Sequence, residues 1–139
     1  MSNDDRPIEG RGRWIARWLL IGFYGVAGVA HLTFATDAMV KIVPSSVPQP
    51  YAWVIATGLC ELAGAVGLMT TRWRQAAGWG LAAYALCVWP ANVVHAIHDL
   101  GQGTGLGWWY HYPRLALQPL IIWWALWASG AVVVRRRAR

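Results

Sequence analysis

Gly58-Leu-Cys-Glu-Leu-Ala-Gly64 lies inside an apolar run, Tyr51 to Thr70, that is long enough to cross a membrane. Its one formal charge is Glu61, about halfway along. A carboxylate at that depth costs several kcal/mol unless it is protonated, paired or wetted. Spanning a bilayer does not require it. The remaining helices are therefore expected to wrap around whatever satisfies Glu61.

Three further apolar runs, Trp14–Ala35, Ala76–Ile97 and Leu115–Val134, accompany the first. Each has about 20 residues, or about 30 Å of helix, which matches a hydrocarbon core. The chain of 139 residues is 57% hydrophobic and 13% charged, which excludes disorder and is too apolar for an ordinary small soluble domain. The expected fold is all-α: one transmembrane four-helix bundle over residues 14–134. It is flanked by a flexible N-terminal tail (1–13) and a basic C-terminal tail (135–139).

The net charge of +6 does not point to nucleic acid, because its distribution follows the membrane. Ten of the twelve cations fall in three segments: Arg6, Arg11, Arg13 and Arg17; Arg72 and Arg74; Arg135, Arg136, Arg137 and Arg139. With four spans these lie on one side, and only Lys41 and Arg114 lie on the other. That is the positive-inside pattern, with both termini cytoplasmic. The first run exceeds a signal-peptide core and is read as a span. Cys60 and Cys87 are expected to be buried small apolar residues.

Polar side chains concentrate toward the opposite side. His31 ends span one. Span three reaches Pro90, which should kink it, and then Asn92 and His95, three apart on one face. Asp99 lies one turn beyond His95 and could orient it. Span four opens with Arg114 and Gln118, four apart on one face. By helical rise these groups lie within about 10 Å of the outer surface and Glu61 about 15 Å down. Asn92 and Gln118 are expected nearest to Glu61. The expected ligand site is thus His31, Glu61, Asn92, His95, Arg114 and Gln118 in one outward-facing pocket, with a structural network of interhelical bonds as the plain alternative.

No metal site is expected. His95-x-x-His98 has usable spacing, but His98 falls at the water boundary and no zinc-site motif occurs. No nucleotide loop or nucleophile triad is visible, and catalytic residues are unknown. Gly22, Gly25 and Gly28 form a strip for close helix approach. Val43-Pro-Ser-Ser-Val-Pro-Gln-Pro50 is stiff and extended, suited to capping the bundle's mouth or to plain connection. Trp123, Trp124 and Trp127 give span four flat sides for lipid, partner or a flat ligand.

Gly28-Val-Ala-His31, Ile42-Val-Pro44 through Pro50, Gly58-x-x-Glu61-Leu-x-Gly64, Pro90-x-Asn92 and Arg114-Leu-x-Leu-Gln118-Pro119 together resemble the DoxX-like membrane proteins. The likeness covers all four spans. It implies a mostly bacterial, four-helix, inner-membrane protein. Some relatives accompany quinone-linked oxidoreductases or oxidative-stress systems, and distant ones act as assembly factors. The resemblance carries no catalytic residues. The expected function is a small membrane subunit that binds a quinone or similar apolar ring compound, more an accessory subunit than an autonomous enzyme. It has no intrinsic cofactor and works with other membrane subunits or further copies of itself. A non-catalytic assembly factor is the alternative.

Overall fold

The computed structural model describes residues 10–132, all of whose regular structure is helical. The elements are α1 (Arg11–Leu32), α2 (Thr36–Val40), α3 (Pro50–Met69), α4 (Arg74–Gln102), α5 (Trp108–Ala116) and α6 (Gln118–Ala128). Three of them, α1, α3 and α4, are long and apolar enough to cross a membrane. Helix α1 already includes Arg11 to Arg13, and residues 1–9 of the expected tail lie outside the described residues. The basic tail 135–139 lies outside the described residues.

The fourth apolar run is not one helix. Pro119, near the start of α6, divides it, with the break at Leu117; Pro113, just ahead of the run, stands inside α5. Pro119 has no N–H to give, and its ring crowds the carbonyl of Leu115, so the ladder cannot run through this point unbroken. What remains after the break, α6, has 11 residues. At 1.5 Å per residue that is about 17 Å, too short to cross a bilayer alone. Pro90, by contrast, sits inside an α4 that continues past it to Gln102.

Helices α1, α3, α4 and α6 pack in a closed ring: α1 on α3, α3 on α4, α4 on α6 and α6 on α1. Among the described residues the backbones of the diagonal pairs, α1 with α4 and α3 with α6, do not approach closely, and α1 meets α4 through side chains such as Tyr24 and Tyr84. Helix α2 lies on α1 and α3, and α5 on α4 and α6. The buried face of α3 is Val54, Gly58, Glu61, Ala65 and Leu68, a stripe at helical spacing with the acid in its middle.

One end of the ring is filled. Leu20 and Tyr24 from α1, Ala65 and Leu68 from α3, Leu81 and Ala82 from α4, and Ala125 and Ala128 from α6 form a continuous core. The Trp124 indole N–H donates to the Ala16 carbonyl at 2.9 Å, so this tryptophan turns inward and ties α6 to α1. Trp123 stays half exposed and stacks on Trp127 with ring centroids 5.5 Å apart.

Close helix approach occurs at one place on the expected glycine strip. A Cβ at Gly28 would lie 2.9 Å from the Gly58 carbonyl oxygen, and one at Gly58 would lie 2.8 Å from the Cβ of His31. These two glycines let α1 and α3 touch beside the acid. Gly22 and Gly25 face open space, so the strip is not used along its length. The spacing of three rotates each glycine 60° short of a full turn, which carries the first two off the contact face.

Candidate functional site

The other end of the ring is hollow. A cavity of about 850 Å³ opens there, lined by α1, α3, α4, α5 and α6 and roofed by the first loop. Met39, Ile42, Val43, Pro44 and Val47 form that roof, so the proline-rich segment caps the mouth. Tyr51 donates its hydroxyl to Asp37 Oδ1 at 2.7 Å and ties the loop to the start of α3. The walls are chiefly apolar. A shallower groove of about 630 Å³ lies against Leu59, Leu62, Val66 and Trp73 and holds no ionisable side chain.

Five of the six expected ligand residues line the cavity: His31, Glu61, Asn92, Arg114 and Gln118. They form separate groups. Glu61 is buried, only 4% exposed, and turns into the ring. Its Oε1 accepts from the Tyr84 hydroxyl at 2.8 Å. Its Oε2 lies 2.8 Å from His31 Nδ1, but that nitrogen also lies 2.9 Å from the Ala27 carbonyl one turn back. The aligned hydrogen bond goes to the carbonyl. The Glu61 contact is therefore a close polar approach, and Oε2 has no aligned donor of its own.

This corrects two expectations. Asn92 and Gln118 are not the partners of Glu61; His31 and Tyr84 are. The sequence contained the signal for Tyr84. Glu61 and Tyr84 stand almost equally far from the turn between α3 and α4, so an antiparallel hairpin sets them at one depth. Tyr24 packs edge-on against Tyr84 at 6.2 Å and holds its ring in place.

The second group surrounds Arg114. Its Nη2 donates to Asn92 Oδ1 at 2.5 Å, and its Nη1 lies 3.2 Å from His95 Nδ1. Guanidinium only donates, so His95 Nδ1 accepts and the ring hydrogen of neutral His95 belongs on Nε2. That nitrogen lies 3.2 Å from Asp99 Oδ2. His95 is thus outside the cavity lining and acts on Arg114 from behind. His98, one turn from His95, is exposed and takes no part. Its place is filled by His111 of α5, whose Nε2 lies 3.2 Å from Asp99 Oδ2.

Gln118 has a third role. Its Nε2 donates to the Ala85 carbonyl at 2.6 Å, beside the Leu86 carbonyl that Pro90 deprives of its usual donor. It joins α6 to α4 at the cavity wall. Cys60 and Cys87 are free and exposed, and both line the cavity, where burial was expected. Each stands off the packed stripe of its helix, so its thiol meets the hollow instead of a neighbour.

These features define a class: an all-helical protein, with three helices apolar enough to span a membrane, whose ring is plugged at one end and holds a half-polar chamber at the other. A family profile described as a domain of unknown function, DUF8561, matches residues 20–129, and the chain belongs to that family. The match takes in every residue of the chamber's polar groups. No curated protein and no solved structure matches the chain.

Proposed function

We propose that the chain is a small integral-membrane subunit that binds a quinone-like or similar apolar ring compound in this cavity. In this reading α5 and α6 together complete a fourth crossing. Both termini then face the cytoplasm of a bacterial inner membrane, as the arginine distribution favours. Kinship with the DoxX-like proteins belongs to the same reading and rests on the short motifs quoted above.

The observation that carries the reading is a mostly apolar chamber with opposite hydrogen-bonding demands at two places. Arg114 uses two of its five N–H groups on Asn92 and His95, so three remain for a ligand oxygen. Glu61 Oε2 lacks an aligned donor and accepts one. A ring carrying a carbonyl toward Arg114 and a hydroxyl toward Glu61 meets both. In this reading a separate redox partner exchanges electrons with the bound ring.

The test is equilibrium binding of a short-chain hydroxyquinone, which carries both a carbonyl and a hydroxyl, to the full chain in detergent, read by tryptophan quenching. Arg114→Gln and Glu61→Gln should each weaken binding by about tenfold. Occupancy should also slow alkylation of Cys60 and Cys87. Equal affinity in wild type and both variants refutes the reading.

The stacked Trp123–Trp127 pair, with Trp123 on the surface, favours a second reading: an accessory subunit or assembly factor docked through α6. Photocrosslinking from position 123 in membranes that yields only lipid adducts refutes it.

A further inference from the structure

We propose that His95, Asp99 and His111 form a site for a divalent transition-metal ion of the zinc type, beside the cavity and independent of what the cavity holds. His95 and Asp99 stand one turn apart at the end of α4, and His111 reaches them from α5. Nε2 of each imidazole lies 3.2 Å from the same carboxylate oxygen, Asp99 Oδ2. The three ligand atoms all lie within 4.8 Å of one another. An ion held tetrahedrally at about 2.1 Å from each ligand sets neighbouring ligands about 3.4 Å apart. The observed spacing therefore admits one after small side-chain shifts.

The surroundings fit a built site. The side chains of His95, Asp99 and His111 are 16%, 14% and 2% exposed. The loop after α4 folds back over Asp99, and Gly105, at φ 71°, passes so close that a Cβ there would run into its carboxylate. Two imidazoles and one carboxylate suit zinc-like ions, whereas magnesium and calcium select all-oxygen sets. A fourth position is left for water.

Proton bookkeeping adds a constraint particular to this site. Ion binding at Nε2 moves each ring hydrogen to Nδ1. His111 Nδ1 is buried without a hydrogen-bond partner, so the move breaks no bond there. His95 Nδ1 accepts from Arg114, and that bond must break. Arg114 thus competes with the ion, by its charge and by the tautomer it enforces.

The test is titration of the tag-free full chain in detergent with Co²⁺, read by its visible d–d bands, followed by displacement with Zn²⁺. One ion per chain is expected. Asp99→Asn, close in shape, should weaken binding by at least about tenfold, and His98→Ala should leave it unchanged. Arg114→Gln should tighten it on the order of tenfold. Absence of one-to-one binding, full affinity in Asp99→Asn, or a loss in His98→Ala overturns the site. Unchanged affinity in Arg114→Gln overturns the competition. His111→Ala removes a fully packed ring, so its effect is read only beside retained helicity by circular dichroism.

Discussion

Tyr84→Phe removes one oxygen and leaves the ring. That oxygen is the aligned donor to Glu61, at 2.8 Å, in a place where the acid is 4% exposed. Interhelical hydrogen bonds in membrane proteins average about 0.6 kcal/mol and reach about 1.7 kcal/mol. This one belongs at the upper end, because Oε2 already lacks an aligned donor and losing Tyr84 leaves the whole carboxyl group without one. The expected loss is about 1.5 kcal/mol, roughly tenfold in the folding equilibrium. It should be read by SDS titration of the protein in mixed micelles, followed by far-ultraviolet circular dichroism. The same substitution in a Glu61→Met background should cost less than about 0.5 kcal/mol, since no acceptor remains to be orphaned. A neutral Tyr84→Phe, or an equal cost in both backgrounds, would show that the acid is satisfied some other way.

Gly58→Ala should destabilise by about 1–3 kcal/mol, because its methyl meets the Cβ of His31, which cannot swing aside. Gly25→Ala, facing open space, should be neutral or stabilising by up to about 1 kcal/mol, and thermal melting in detergent compares the two. Gln118→Leu should cost about 0.5–1.5 kcal/mol by removing the bond that joins α6 to the Ala85 carbonyl, measured by the same SDS titration. Gly105→Ala should loosen the loop over Asp99, through both its φ of 71° and the crowded carboxylate, and raise backbone amide exchange over residues 103–107 while α1 and α3 are unchanged.

The helical plan was legible because hydrophobic length decides it. The runs around Trp14, Tyr51 and Ala76 became α1, α3 and α4. The inward turn of Glu61 followed from its place among small residues on one face. The break at Leu117 was also written in the chain, as Pro119, but apolar length outweighed the missing donor. Pairing was harder to read. Depth along a helix says which groups share a level, and not which way each side chain swings. So five expected residues line one cavity, while Glu61 chooses His31 and Tyr84, and Arg114 chooses Asn92 and His95. His111 stayed hidden because its role depends on how a glycine-rich loop folds back, which periodicity does not address.

The packed core around Leu20, Leu68 and Leu81 fills the ring at the end away from the chamber. The hollow consequently does not continue through that end. Conduction would require those three leucines to part together, a rearrangement of the whole interior instead of a loop's opening.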